Sequence, residues 1–167
     1  MSIQTTYSAW QIHPSHPKSW RSTESISNLH LATNLPKPTP GPNTALVRIH
    51  AAALNARDMM VVAHDPVYPI NTIPNLTTGA DGAGIVEAVG EGSVWKVGQR
   101  VLLLPNAWIE GEAPTLEGLK TLGAGDVEGT LREYAVVVSR WISHMSLSFR
   151  RCDGLVCRTH DQSFHEE

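Results

Sequence analysis

The segment GADGAGIVEAVG, residues 79–90, places glycines at 79, 82, 84 and 90. Glycines this dense let a backbone approach a phosphate closely, so nucleotide binding is the first chemistry to weigh. A dinucleotide loop needs G-x-G-x-x-G after a strand and opening a helix. Gly82 and Gly84 supply the first pair, but Glu87 stands at the third position, and IVEAVG favours a strand over a helix. A P-loop needs a Lys and then Ser or Thr after its last glycine, and neither follows. The glycines are therefore expected to serve tight turns and close packing around a bent strand, with a ligand-facing role as the alternative.

Other residue types offer less. His13, His16, His30, His50 and His64 have no spacing that brings two onto one helix face, and His50 reads as a packed or edge residue of a strand. No G-x-S-x-G marks a nucleophilic serine. Cys152, Cys157, His160 and His165 form C-x4-C-x2-H-x4-H, residue types that zinc accepts. Structural zinc sites use tighter cysteine spacing on an ordered turn, so incidental composition is the expectation there. Asn55 follows an apolar run and can cap a short helix, with Asp58 at the capping-box position, where Glu or Gln would fit better. Tyr68 lies between Val67 and Pro69 and can simply pack a loop.

The elements that must position these residues are mostly strands. YSAWQI is a candidate first strand, and SISNLHLA a second with Ile26, Leu29 and Leu31 facing inward. NLPKPTPGPNT carries four prolines and reads as a stiff, extended connection, neither helix interior nor central strand. Ala45 to Leu54 is a largely buried strand, and NARDMMVVAH a short helix. GIVEAVG, RVLLL and Thr130 to Val138 complete the strands, with an irregular excursion between Pro105 and Gly129. A repeating βαβ pattern is missing, so the class is mainly β, a partly open barrel with short helices. Beyond Trp141 both periodicities weaken, and residues 145–167 read as a poorly packed tail.

Composition narrows the function classes. A chain of 167 residues can close one core. The net charge of -3, with tryptophans that do not interleave with Lys or Arg, argues against nucleic acid and anionic membranes. Two cysteines make no disulfide framework, no secretory leader opens the chain, and no apolar run is long enough to span a bilayer. The expected setting is cytoplasmic.

Three segments in order carry a resemblance. Gly79, Asp81, Gly84, Val86, Val89 and Gly90 fit a G-x-E/D-x-x-G-x-V-x-x-V-G pattern, and Gly98, Gln99, Arg100 and Val101 fit the G-D-R-V that follows it, with Gln99 in place of Asp. LVRIHAAALNARDMM and GTLREYAVV, with Gly129, Glu133 and Tyr134 in register, fit two further segments. From about residue 8 to 144 the chain resembles the N-terminal, GroES-like domain of the medium-chain dehydrogenase/reductase family. That implies a domain over residues 1–144 and a tail, 145–167, that does not look like the family. Full-length members carry a Rossmann domain that holds the dinucleotide. None is legible in this sequence, so the chain reads as truncated, with its cofactor-binding residues unknown.

The resemblance also addresses metal. Zinc enzymes of the family use a Cys in the turn after the VRI strand and a His-Glu pair in the glycine motif. Asn55 stands at the first position, and Ala80 and Asp81 at the second. The cysteines of the family's structural zinc are missing between Pro105 and Gly129. The resemblance therefore points to the zinc-free, quinone oxidoreductase-like branch, usually linked to NADPH, with no metal expected. In that branch Asn55, Asp58 and Tyr68 fall where polar groups line the cleft, and they are the catalytic candidates. The implied function is a catalytic-domain fragment of an oxidoreductase acting on a small-molecule quinone, enone or enoyl substrate. By itself it is expected to be inactive and without cofactor. The alternative is a non-enzymatic β module that binds a partner protein or regulates a full-length relative. Self-association through the surface that would face a second domain is a further expectation.

Overall fold

The computed structural model describes residues 4–13, 21–105, 120–138, 142–144, 151–152 and 155–156. Strand β1 (Thr6–Ile12) pairs antiparallel with β2 (Leu29–Pro36) as a two-stranded ribbon. Strands β3 (Thr44–Ala53), β4 (Asp81–Val89), β5 (Arg100–Leu103), β6 (Tyr134–Val138) and β7 (Ile142–His144) form a second sheet in the order β6-β3-β4-β5-β7. Every ladder in it is antiparallel, and the sheet curls into a half-barrel. One α-helix, α1 (Ala56–Val62), follows β3 directly. A two-residue ladder joins β8 (Arg151–Cys152) to β9 (Leu155–Val156) in the segment expected to be a loose tail. The mainly β, GroES-like, partly open barrel with short helices is the observed fold.

The core follows from alternation on the curled sheet. Ala45 and Val47 from β3, Val86 from β4, Val101 from β5 and Val137 from β6 are buried together against Trp95. Filling the concave side leaves the convex side only partly covered, and Ile85, Leu102, Val136 and Val138 are exposed there. Burial of the apolar side chains inside, at about 25 cal/mol per Å², is the main force holding the barrel closed.

The glycine segment is strand. Gly82 and Gly84 lie inside β4, and a Cβ on Gly84 would collide with the Arg48 carbonyl oxygen of β3. The β3–β4 register shifts twice, between Leu46 and Val47 and between Ile49 and Ala51. Close packing around a bent strand is thus the observed role of these residues. Gly79 takes a φ of +101° at the turn leading into β4, a region that side chains avoid.

Three expectations are corrected. The proposed second strand begins as a 3-10 helix, Thr23–Asn28, because the Ser22 side chain caps it by accepting from the Glu24 N–H. Ile26 and Leu31 are consequently exposed, and only Leu29 packs inward. The strand from Ala45 is buried over its first half only, and His50 through Ala53 lie exposed. The last long strand starts at Tyr134, not Thr130, because Thr130 and Leu131 donate backbone N–H groups to the Gly79 and Thr78 carbonyls instead of extending the ladder.

Candidate functional site

Strand β3 ends at Ala53, paired with Asp81 at the start of β4. Two residues on, Asn55 adopts extended backbone and caps α1. Its Oδ1 accepts from the Arg57 N–H at 3.0 Å, and the Asp58 carboxylate accepts from the Asn55 backbone N–H at 3.0 Å. The capping box expected from Asn55 and Asp58 is therefore closed, with Asp in the role more often played by Glu. Asp81 is tied on its other side, where its carbonyl accepts from Thr130 Oγ1 at 2.9 Å. The sheet register and the helix cap together bring the side chains of residues 55 and 81 into contact, and Asn55 Nδ2 donates to Asp81 Oδ2 at 2.9 Å.

Asp58 is almost fully buried, 3% exposed, while Asn55 is exposed. The second Asp58 oxygen, Oδ1, faces Arg57 Nε at 3.4 Å, too long for a good hydrogen bond, and neither atom finds another partner among the described residues. The Arg57 guanidinium is anchored elsewhere, donating to Thr121 Oγ1 at 2.7 Å and to the Leu122 carbonyl. It lies 6.0 Å from the Tyr68 ring. Burial pushes the Tyr68 phenol above its ordinary value, while Arg57 opposes the shift and Asp58 adds to it. Tyr68 is thus a half-buried, protonated hydroxyl, beside a cavity of about 350 Å³ that it shares with Met60, His64 and Asn71.

Of the three candidates from the sequence, exposed Asn55 and buried Asp58 meet in the capping box, and Arg57 between them lies 6.0 Å from the ring of Tyr68. Sequence reasoning misses Arg57, because an Arg in the first turn of a helix carries no sign of the loop at 121–122 that it will grasp. Asp81 opens β4 and touches Asn55. Glu133 accepts the Ser8 N–H at 2.7 Å and so ties β1 to the segment before β6. No group of three or more His, Cys, Asp or Glu among the described residues is placed to hold a metal, and Ala80, buried at 1% exposure, offers no ligand atom. Cys157, His160 and His165 lie outside the described residues.

Residues 41–146 match the alcohol dehydrogenase GroES-like domain. This chain belongs to that family. The VAT-1 homolog of Homo sapiens, named a synaptic vesicle membrane protein, is 34% identical over 115 residues, 67% of this chain and 28% of that protein. The trans-enoyl reductase grgB of a Penicillium species is 41% identical over 73 residues, 43% of this chain and 19% of that protein. Among solved structures, an alcohol dehydrogenase of Sinorhizobium meliloti 1021 matches with a TM-score of 0.69 at 26% identity, over 86% of this chain and 40% of that one. The crotonyl-CoA carboxylase/reductase AntE, solved in complex with NADP, shares the fold with a TM-score of 0.66 at 23% identity, over 86% of this chain and 38% of that one. The match spans 27% to 35% of the lengths of the first four curated relatives. The medium-chain dehydrogenase/reductase resemblance carried by the glycine motif is thereby shown. No helix among the described residues is long and apolar enough to cross a membrane.

Proposed function

We propose that this chain supplies the substrate-side wall of a zinc-independent, NADPH-dependent oxidoreductase acting on quinones, enones or enoyl compounds. The observation that carries the reading is the Asn55–Asp81 hydrogen bond. It joins an amide and a carboxylate at two positions where, by the sequence resemblance, zinc enzymes of the family carry ligands. With Ala80 beside them, this corner is built to donate a hydrogen bond rather than to coordinate. The relatives named as enoyl reductases, and neighbours solved with NADP, support the substrate and cofactor classes. A cytoplasmic setting goes with the reading.

NADPH itself does not fit the described residues. Their ladders are all antiparallel, and the glycine segment continues as β4 instead of opening a helix toward a pyrophosphate. The dinucleotide belongs to residues outside this barrel. What the chain's own residues do is bind and orient. Asn55 offers an N–H on the surface, Tyr68 a hydroxyl beside its cavity, and Asp58 holds the cap that aims Asn55. Residues 1–144 act as the body of the domain, and alone it turns over no substrate.

Assayed in a form that also carries a dinucleotide-binding domain, 2-cyclohexen-1-one is expected to drive NADPH oxidation at a rate a zinc chelator leaves unchanged. Asn55→Ala should lower that rate by about a hundredfold, the scale of losing one polarising donor. Activity that disappears on chelation and returns with zinc would contradict the proposal. A second reading, a partner-binding module, draws on exposed apolar residues near the site, Leu54 at 73% and Val67 at 74%. Saturable association with a protein, without any turnover in the two-domain form, would favour it.

A further inference from the structure

The Asn55 amide has its two ends fixed by partners that each accept only one answer. The Arg57 N–H can only donate, so it requires Oδ1. The Asp81 carboxylate oxygen accepts, so it requires Nδ2. Turning the amide over would set Oδ1 against the Asp81 oxygen and Nδ2 against the Arg57 N–H, breaking both bonds and adding repulsion. One Nδ2 hydrogen is then committed to Asp81, and the other has no protein acceptor among the described residues. The bond from the Arg57 N–H draws electron density toward Oδ1, which favours donation from Nδ2. The bond to Asp81 contributes orientation: it holds the second N–H pointing outward.

We infer that Asp81 is a positioning residue that locks Asn55 as a donor, so that this corner favours a ligand presenting a conjugated carbonyl oxygen, the stronger acceptor, over the matching alcohol. This rests on the reading of the chain as a substrate-side wall, and it narrows the substrate class to the oxidised, carbonyl-bearing partner of a hydride exchange. Asp81 suits the role because its backbone is held from both sides, by Ala53 across the ladder and by Thr130 Oγ1. Replacing its side chain should therefore leave the start of β4 in place.

The test uses the 167-residue chain, labelled with 15N, and follows the Asn55 side-chain amide, assigned by its loss in Asn55→Ser. In the wild type the two Nδ2 hydrogens should be widely separated in shift, and the amide should be rigid. Asp81→Ala should narrow that separation and loosen the amide. Asp81→Asn, which keeps the shape and a neutral acceptor, should fall between, and it guards against a folding defect in the alanine variant. Adding 2-cyclohexen-1-one should shift the outward N–H in the wild type, with affinity roughly tenfold weaker in Asp81→Ala, the loss expected when a hydrogen-bond donor is no longer held in place. The matching alcohol, 2-cyclohexen-1-ol, whose oxygen is a weaker acceptor, should shift it less at the same concentration. Wild-type shifts and rigidity in Asp81→Ala overturn the positioning role, and an equal response to the alcohol overturns the selectivity. A loosened amide in Asp81→Ala, with no response to either ligand in the wild type, keeps the positioning and removes the substrate-wall reading beneath it.

Discussion

Asn55 uses one amide for two purposes, capping α1 through Oδ1 and meeting Asp81 through Nδ2. The two can be separated. Asn55→Ser keeps a good cap, so its melting temperature should stay close to wild type, whereas Asn55→Ala should lose about 1 kcal/mol in a thermal or urea melt. Equal stabilities for Ser and Ala at this position would show that the cap contributes nothing. A second residue-scale prediction concerns His30, whose ring stacks on His13 with centroids 3.6 Å apart. Burial, and then the neighbouring His13, hold its protonation below the ordinary value of 6.5. The unfolded chain therefore takes up a proton before the folded chain does. Stability is full above pH 6.5 and declines as pH falls below it, until the folded histidine also titrates. His30→Gln should flatten the dependence of melting temperature on pH across that window. A variant as pH-sensitive as the wild type would assign the effect to other groups.

At the scale of elements, β4 depends on having no side chain at Gly84, where a Cβ would press on the Arg48 carbonyl oxygen. Gly84→Ala should destabilise by about 1–3 kcal/mol in urea unfolding, the range for forcing bulk into a packed site. A Cβ on Gly98 meets nothing within 4 Å, but its φ of +87° makes alanine there strained for backbone reasons alone, at about 1–2 kcal/mol. If Gly84→Ala unfolds at wild-type urea concentrations, β3 and β4 are too far apart for this contact. The strand β5 is legible in the sequence because its burial follows from local alternation, and the position of β3 is legible too, while the exposure of its second half, His50 to Ala53, is not. The 3-10 helix at Thr23–Asn28 is not, since it is set by the Ser22 cap and by Asn28, whose Nδ2 donates to the distant Val62 carbonyl at 2.7 Å. Likewise the capping box of Asn55 and Asp58 is local and readable. The grasp of Arg57 on Thr121 and the Asn55–Asp81 contact join residues 64 and 26 positions apart, which no window of sequence displays.

At the scale of the whole molecule, the buried cluster draws on all five strands of the curled sheet, from Ala45 and Val47 to Ile142. A core shared in this way should melt cooperatively, with one transition by circular dichroism and by tryptophan fluorescence, because Trp95 is part of it. Two separated transitions would mean that the ribbon of β1 and β2 folds apart from the barrel. Asn55 and Asp58 stand at the start of α1, directly after β3, and the strands of the barrel pair antiparallel. On the proposed reading this body contributes the substrate side and leaves the dinucleotide to a second domain. Titration of NADPH into the 167-residue chain, followed by nicotinamide fluorescence, tests this division most directly. No saturable change is the predicted result, and stoichiometric, saturating binding would contradict it.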